Sequence, residues 1–456
     1  MGSGPGGHAP PATSLRRKPR SPGVAAGRGG LSPASHGILV AFARDAVRLL
    51  TDQGQVSVPR IWAASRIDRD AVLFYDLPMN HTLPRRASLE RARDLHRRAF
   101  VFDAHVDTLS EMADRGYDLD TAPETAHLSW GRMREGGLDA QLFACFVNPD
   151  LPPDRHAARV FELIDRFETE AARISDRLAA CRSAADIDAA VAAGKFAGML
   201  AIEGGHAIED SLDTLRRFHE RGVRAMTLTW NNTNSWADGC GPMDPALEQH
   251  GGLTAFGRKV VAAMEAMGMA VDISHVAPTT FADVLAVAEK SPFASHSSLR
   301  HINDHRRNLT DGQLRGLAEK GGVLGVCFCS GFLVDESAAW AEAKRTSDYA
   351  AVTDRTDRVD FAGITDQEYE VYDKHVPPAV LEDAVEHVDR ALRVMGTDHV
   401  GLGTDFDGAR RFPVGLEHVG KLPHLTAGLL DRGWKEHDLE GMLGRNLLEY
   451  FRRVIG

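Results

Sequence analysis

Residues 100–109, FVFDAHVDTL, form an apolar run that ends in two side chains suited to holding a metal ion. His105 and Asp107 are two residues apart, and on a β-strand residues at that spacing point to the same side. Burying such a polar pair costs free energy unless something binds it. Taken alone, the motif is too short to distinguish a metal site from a satisfied polar pair that closes a strand.

The same pattern recurs along the chain, because further apolar, β-branched runs follow the first and helical stretches separate most of them. The eight predicted strands are Phe100–Asp107, Ala140–Val147, Ala197–Gly204, Arg224–Trp230, Ala270–His275, Pro292–Ser298, Gly322–Cys329 and His399–Asp405. The predicted helices are Ser88–Arg98, Arg155–Ala180, Ala184–Ala193, Ser211–Arg221, Leu253–Met267, Pro278–Glu289, Asp311–Lys320, Pro378–Val394 and Leu439–Arg453. This alternation predicts a parallel α/β protein whose strands are buried on both faces. Eight repeats favour a closed (β/α)8 TIM-like barrel, with a doubly wound open sheet as the alternative.

The remaining segments predict the domain organisation. Residues 1–36 are rich in Gly, Pro, Ala, Ser and Arg, contain no acidic residue and are predicted to be disordered. Residues 37–456 are predicted to form a single domain, with a helix at 37–50 and a strand at 55–64 as a small N-terminal accessory segment. The polar, acidic stretch 331–375 is predicted to be an insertion or lid after the seventh strand.

Composition excludes several classes of protein. The 456 residues are 43% hydrophobic and 26% charged, as in a soluble globular protein, and the net charge of −11 argues against a nucleic-acid partner. Five scattered cysteines without a CxxC pair predict no disulfide framework and a reducing, cytoplasmic location. An N-terminal transit peptide stays open as an alternative. No apolar run approaches the roughly 18 residues of a membrane span, and no membrane anchor is evident.

Ionisable residues end five of the eight predicted strands, and in a barrel of this kind all those ends open onto one face. The residues are His105 and Asp107, Glu203, His275, His296 and Asp405. Three histidines and two carboxylates suit a pair of Zn²⁺ ions, with Glu203 free to bridge them. His206, His301 and His305 are predicted to lie around the site or on the surface.

The chain resembles the membrane (renal) dipeptidase family, the zinc dipeptidases of the amidohydrolase superfamily. The motifs that carry the resemblance are DAHVDT, AIEGGHAIE, TLTW with WADG, DISHV, SHSS with RRN, and GTDFDG. The resemblance implies a metal-dependent hydrolase barrel with two zinc ions per subunit. It assigns His105, Asp107 and Glu203 to one ion, and Glu203, His275 and His296 to the other. It further implies that Asp405 is the catalytic aspartate and that Arg307 binds the terminal carboxylate of a small dipeptide-like substrate.

One position departs from the family pattern. Trp230 stands where the family has a histidine that helps to bind the scissile carbonyl, and Asn231 follows it. An indole N–H can donate a hydrogen bond but cannot ionise. The sequence therefore leaves open whether Trp230 or a nearby asparagine such as Asn231 contacts the substrate, or whether Trp230 is an apolar wall.

Three functions are compatible with these residues. The first is a binuclear zinc dipeptidase acting on L-Xaa-Xaa, including dipeptides with a C-terminal D residue. The second is a zinc amidase or deacylase acting on N-acyl amino acids or another small amide that bears a carboxylate. The third is a catalytically inactive metal-binding protein, which the presence of Asp405 argues against, because metal binding alone needs no proton acceptor. The family is often dimeric, so the resemblance is also compatible with a homodimer.

Overall fold

The computed structural model describes residues 62–68, 71–76, 84–241, 249–350, 352 and 366–456. These ranges contain eleven strands. They are β1 (Trp62–Asp68), β2 (Ala71–Asp76), β3 (Phe102–Val106), β4 (Ala140–Phe146), β5 (Leu178–Ala180), β6 (Phe196–Glu203), β7 (Val223–Thr227), β8 (Ala270–Asp272), β9 (Ala294–Ser297), β10 (Leu324–Val326) and β11 (Val400–Leu402).

Strands β1 and β2 form an antiparallel hairpin. The hairpin belongs to a different unit from residues 84–456 and is described by itself. The disordered extension predicted at 1–36, the helix predicted at 37–50 and residues 55–61 of the predicted strand 55–64 lie outside the described residues.

The other strands build a parallel barrel. The order of hydrogen-bonded neighbours is β8, β7, β6, β4, β3, β11, β10, β9, and a parallel bridge between Asp272 and Phe293 brings the two ends of this path together. The (β/α)8 TIM-like barrel is therefore confirmed, and the doubly wound open sheet is wrong. Each of the eight predicted strands overlaps one of these strands.

Helices flank the barrel strands in the predicted alternation. The helices before the insertion are α1 (Arg86–Arg98), α2 (Thr108–Arg115), α3 (Trp130–Gly136), α4 (His156–Arg173), α5 (Ala184–Ala192), α6 (Leu212–Glu220), α7 (Ala255–Met267), α8 (Pro278–Val287) and α9 (Asp311–Glu319). Side-chain caps fix several of their starts. Thr310, for example, accepts a hydrogen bond from the Gln313 N–H while the Gln313 side chain accepts one from the Thr310 N–H, which is the capping box that begins α9.

One predicted helix, Arg155–Ala180, is too long. Helix α4 ends at Arg173, and Leu178–Ala180 is strand β5, which pairs in parallel with the first half of β6. The backbone hydrogen bonds of β5 go to β6, outside the barrel path, so this edge of β6 is not left open. The apolar residues Leu178, Ala179 and Ala180 continue the helical pattern in sequence, which is why periodicity alone misassigned them.

Between β10 and the next large helix, the described part of the predicted insertion contains four helices. These are α10 (Ser330–Leu333), α11 (Ser337–Ala343), α12 (Ser347–Ala350) and α13 (Asp366–His375). Ala343, Tyr372 and Val376 form a small apolar core of their own, separate from the barrel core. The chain then continues through α14 (Leu381–Met395), α15 (Leu422–Asp431), α16 (Glu436–Glu440) and α17 (Asn446–Val454).

Two glycines let three barrel strands approach closely beneath the predicted site. A β-carbon on Gly325 of β10 or on Gly403, just after β11, would overlap the carbonyl oxygen of Ser295 in β9. No side chain larger than hydrogen fits at either position. This close approach fixes the backbone that carries His296.

Two predictions made from composition concern disulfide bonds and membrane-spanning helices. All five cysteines are unpaired, as the absence of a disulfide framework predicts. Within the described ranges, every helix is too short or too polar to cross a membrane.

Candidate metal centre

The structure brings all six predicted strand-end residues together at the carboxyl end of the barrel. His105 lies in β3, Glu203 is the last residue of β6, and His296 lies in β9. Asp107 follows β3 directly, and His275 and Asp405 lie three residues beyond the ends of β8 and β11. Every one of the six is at most 8% exposed, so a dense group of charged and ligating side chains is buried at one point.

Glu203 stands between two groups of these residues. Its Oε1 atom lies 2.8 Å from His275 Nε2 and 3.4 Å from His296 Nε2. Its Oε2 atom lies 3.4 Å from His105 Nε2, which in turn is 3.2 Å from Asp107 Oδ2. Glu203 therefore offers one carboxylate oxygen to each of two neighbouring sets of ligand-type atoms.

Hydrogen bonds to the Nδ1 atoms of His275 and His296 determine which ring nitrogen of each faces Glu203. His275 Nδ1 lies 2.9 Å from Asn231 Oδ1, an oxygen that can only accept, so Nδ1 carries the proton. Ser295 donates its hydroxyl proton to Asp272 Oδ2 at 2.5 Å and therefore accepts from His296 Nδ1 at 2.8 Å. Both histidines thus point an unprotonated Nε2 atom into the site.

Those two Nε2 atoms face one another at 2.8 Å, and both face the Oε1 atom of Glu203. Burial lowers the pKa of His275 to about 3 and holds that of His296 well below its ordinary value, so both rings are neutral at pH 7. Two nitrogen lone pairs and a carboxylate oxygen cannot satisfy one another. The residues present fit a cation among them.

The carboxylates lead to the same conclusion. Burial, reinforced by the charge of Glu203, raises the pKa of Asp107 to about 8. The Oδ1 atom of Asp107 is buried and has no hydrogen-bond partner among the described residues. Burial opposes ionisation of Glu203 as well, but the charge of His105 and its hydrogen bond to the carboxylate hold the pKa of Glu203 well below its ordinary range. A bound cation would satisfy both carboxylates as ligands.

Asp405 borders this cluster. Its Oδ1 atom lies 3.9 Å from His105 Nε2, and the thiol of Cys327 donates to its Oδ2 atom at 3.5 Å. Burial raises the pKa of Asp405 to about 6, although the charge of His105 acts in the opposite direction. A pKa near 6 suits a group that accepts and returns a proton near neutral pH.

The backbone is unusual at these residues. Asp405 has a φ of 63° and His275 a φ of 66°, in the left-handed region that side chains other than glycine rarely adopt. Gly408 approaches the Asp107 and Asp405 carboxylates so closely that a β-carbon there would overlap both. Backbone strain of this kind is found where function requires a particular geometry.

Arg307 is 5% exposed and lies in the segment between β9 and α9. Its Nη2 atom donates to the carbonyl oxygen of His296 at 2.9 Å, and Nη1 donates to Ser297 Oγ at 3.2 Å. Its guanidinium lies over the Phe332 ring, 5.2 Å from the ring centre. The Nε–H is buried without a partner among the described residues, so the side chain can donate further hydrogen bonds.

Trp230 and Asn231 lie beside His275, on its outer side. The Trp230 ring is 5.8 Å from the His275 ring and 5.5 Å from the Phe146 ring, and Trp230 is 8% exposed. Asn231 directs its side-chain oxygen at His275 rather than into the open site. A contact between either residue and a substrate stays a prediction.

The sequence did not predict that Asp272, Ser295 and Cys327 would form hydrogen bonds around the candidate metal ligands and Asp405. Asp272 and Ser295 stand in the DISH and SHSS motifs, where a polar residue inside a buried strand was the available signal. Cys327 is fully buried, and its thiol contacts Asp405. His301 is exposed, whereas His305 Nδ1 accepts the Arg307 backbone N–H and His206 contacts the Val147 carbonyl oxygen.

A cavity of about 550 Å³ opens at the same end of the barrel. It lies between α2 and α4, above the end of β4, and Phe146 forms part of its lining. Phe146 is paired with Glu203 in the sheet register and touches Trp230. Phe146 therefore borders both the cavity and the Trp230 ring.

Comparison with known proteins identifies the family. A family model described as "Membrane dipeptidase (Peptidase family M19)" matches residues 89–455. The chain belongs to this family. The resemblance seen in the motifs is confirmed, and membrane dipeptidases of this family are metallopeptidases.

Individual relatives agree with this assignment. Dipeptidase 3 of Mus musculus is 31% identical over 325 residues, which is 71% of this chain and 57% of the relative. Dipeptidase 3 of Rattus norvegicus is 31% identical over 72% of this chain and 58% of its own length. The chain thus spans less than three fifths of the length of either of these two curated relatives.

Solved structures share the fold. The probable dipeptidase PvdM from Pseudomonas aeruginosa superposes with a TM-score of 0.72 at 23% identity, covering 81% of this chain and 99% of that one. A metallopeptidase from Rhodobacter sphaeroides, liganded with a phosphinate mimic of the dipeptide L-Ala-D-Ala, has a TM-score of 0.64 at 25% identity. The match to the second structure covers 78% of this membrane dipeptidase homologue and 99% of that chain.

Proposed function

We propose that this chain is a binuclear zinc dipeptidase that hydrolyses the peptide bond of short L-Xaa-Xaa dipeptides, including those with a C-terminal D residue. The observation that carries the proposal is the position of Glu203, whose two oxygens face two different sets of ligand atoms. Membership of the membrane dipeptidase family supports the reaction class. The Rhodobacter sphaeroides relative, liganded with a mimic of L-Ala-D-Ala, supports the size and chirality of the substrate.

The donor set supports zinc. His105 and Asp107 would hold one ion and His275 and His296 the other, with Glu203 shared between them. Imidazole nitrogens mixed with carboxylate oxygens are typical zinc ligands. Two zinc ions there would activate a water molecule at neutral pH and polarise the scissile carbonyl.

Asp405 would accept and return the proton of the attacking water. Asp405 is buried at the edge of the cluster, with one oxygen towards His105 and the other held by the Cys327 thiol. The oxygen that faces His105 would accept the proton of the attacking water and return it to the leaving amine. A variant without this carboxylate would bind metal but lack the proton acceptor.

Arg307 would hold the carboxylate end of the substrate. It is buried beside His296 and has an unpartnered Nε–H, so a carboxylate that arrives there gains charge-assisted hydrogen bonds without moving the side chain. The backbone and Ser297 contacts that it already makes fix its orientation, which reduces the entropy lost on binding.

Trp230 favours a second function, a zinc amidase or deacylase acting on N-acyl amino acids. The family histidine at this position is replaced by an indole that packs between Phe146 and His275. An apolar wall there would suit an acyl group as well as an amino-acid side chain. Arg307 would bind the carboxylate in either case.

The two functions separate in one assay. Zinc-loaded protein is given L-L and L-D dipeptides and their N-acetylated forms, and release of free amino groups is followed with ninhydrin. Cleavage of the free dipeptides alone is the expected result. Cleavage of the N-acetylated compounds alone would assign the deacylase function. Absence of turnover on both, with two zinc ions bound, would contradict the proposal.

A further inference from the structure

One buried hydroxyl, that of Ser295, contacts a histidine of each proposed metal set. Ser295 Oγ lies 2.8 Å from His296 Nδ1 and 3.4 Å from His105 Nδ1. His105 is assigned to one ion and His296 to the other. The two imidazole rings lie against one another, with ring centres 3.7 Å apart and planes inclined by 32°. Both rings therefore present the same nitrogen, Nδ1, to one oxygen atom.

Asp272 takes up the hydroxyl proton of Ser295. Asp272 Oδ2 accepts from Ser295 Oγ at 2.5 Å and from Thr227 Oγ1 at 2.8 Å. Asp272 Oδ1 accepts the backbone N–H groups of Ser274 and Ser295, both at 2.9 Å. The Ser274 hydroxyl lies 3.3 Å from Ser295 Oγ and completes the group. Because both oxygens of Asp272 act as acceptors, Ser295 has no proton left to donate to a histidine.

Ser295 can therefore only accept hydrogen bonds from the two rings. A hydroxyl oxygen carries two lone pairs, which is one for each Nδ1–H. A neutral imidazole that donates from Nδ1 keeps the lone pair of Nε2 for a metal ion. His296 Nε2 faces Glu203 Oε1 at 3.4 Å, and His105 Nε2 faces Glu203 Oε2 at 3.4 Å. Ser295 and Glu203 thus contact the same two rings through opposite nitrogens.

We propose that Ser295, held by Asp272, is a positioning residue for both metal ions, because its single hydroxyl orients one ligand histidine of each. This rests on the proposed two-zinc centre. Ser295 acts through the histidines, by keeping the proton of each ring on Nδ1. Loss of one such supporting bond typically weakens metal binding by about 10- to 100-fold. Removal of this one hydroxyl should therefore weaken the binding of two ions, each by that factor.

Two variants remove the support in different ways. Ser295→Ala deletes the hydroxyl. Asp272→Asn keeps the hydroxyl but places an amide N–H where Oδ2 was, so the Ser295 proton turns towards a histidine and favours the wrong tautomer. Ser298→Ala is the matched control, because Ser298 is also fully buried and its hydroxyl donates to the Cys327 carbonyl oxygen at 2.8 Å. Asn231→Ala removes a partner of His275 alone and serves as the single-site contrast.

The experiment measures the affinity of both zinc sites by competition with a chromophoric chelator, and urea unfolding of each metal-free protein shows that it is folded. The expected result is that Ser295→Ala and Asp272→Asn bind both ions about 10- to 100-fold more weakly, that Asn231→Ala binds one ion more weakly, and that Ser298→Ala keeps both affinities.

Ser295→Ala decides the question by itself if Asp272→Asn does not fold. A lower urea midpoint of Ser295→Ala with both zinc affinities unchanged would overturn the proposal, because it would show a role in stability alone. Weakening of a single ion in Ser295→Ala, or of both ions in Asn231→Ala or Ser298→Ala, would also overturn it. An unmodified protein that binds fewer than two zinc ions would instead refute the two-zinc centre on which the proposal rests.

Discussion

Asn231 accepts a hydrogen bond from His275, with 2.9 Å between Asn231 Oδ1 and His275 Nδ1. The bond holds the His275 ring with its Nε2 atom towards Glu203. Loss of such a supporting bond typically weakens metal binding by about 10- to 100-fold. We therefore expect Asn231→Ala to weaken binding of one zinc ion by that factor, whereas Asn231→Asp, which can still accept the bond, retains it.

The measurement is competition for zinc between the protein and a chromophoric chelator. Asn232→Ala serves as a control, because it removes the same group from the next residue in the chain. Equal zinc affinity in Asn231→Ala and the unmodified protein would show that Asn231 does not orient His275.

Asp405→Asn separates metal binding from proton transfer. Because Asp405 borders the ligand cluster, we expect the variant to keep both metal ions while kcat falls by about 10²- to 10⁴-fold, the usual contribution of a general base. Metal content by atomic emission and kcat on one dipeptide are measured on the same sample. A kcat close to that of the unmodified protein would remove Asp405 from the proposed mechanism.

Arg307 predicts a requirement for a free carboxylate. A charged hydrogen bond contributes about 1.5 to 3 kcal/mol, so the unmodified protein should prefer a dipeptide over its C-terminal amide by at least tenfold in kcat/KM. Arg307→Gln should remove most of that preference. Because Arg307 also contacts the His296 carbonyl oxygen, zinc content is checked in the variant. An equal preference for the free acid in both proteins would show that Arg307 does not bind the C-terminal carboxylate of the substrate.

His96 predicts how stability depends on pH. The buried ring donates from Nδ1 to the Gly136 carbonyl oxygen at 2.7 Å and accepts from the Thr426 hydroxyl at Nε2, 2.8 Å away. Burial lowers the pKa of His96 from 6.5 to about 4. Between these values the unfolded chain binds a proton that the folded chain does not. This group therefore lowers the free energy of unfolding by about 2 kcal/mol from pH 8 to pH 5.

Urea denaturation at both pH values tests this for the unmodified protein and for His96→Gln, whose amide can make the same two hydrogen bonds without titrating. The variant should lose about 2 kcal/mol less than the unmodified protein on going from pH 8 to pH 5. Equal pH dependence of the two proteins would show that folding does not lower the pKa of His96.

The barrel could be predicted from the sequence because each of its strands is an apolar run that can be recognised without knowing its neighbours. Five of these runs also end in ligand-type residues. It could not predict β5, because Leu178–Ala180 has no alternation and its pairing with β6 is known only from the fold. Helix α2 was also not predicted, because it begins directly after Asp107 and is only eight residues long.

The candidate ligands could be predicted from their positions at strand ends, but their supporting partners could not. Asn231 is 44 residues from His275, and Cys327 is 78 residues from Asp405. Such contacts depend on how loops return to the barrel mouth. A substrate contact of Asn231 therefore stays a prediction, and its hydrogen bond to His275 is a contact that the sequence did not reveal.

Titration of zinc into the metal-free protein, with dipeptide hydrolysis as the readout, tests the central proposal most directly. The proposed centre uses Glu203 to link two ions, so turnover of L-Ala-D-Ala should rise until two equivalents of zinc are bound and then level off. A plateau at one equivalent would contradict the two-metal centre. Absence of hydrolysis with two zinc ions bound would contradict the dipeptidase assignment.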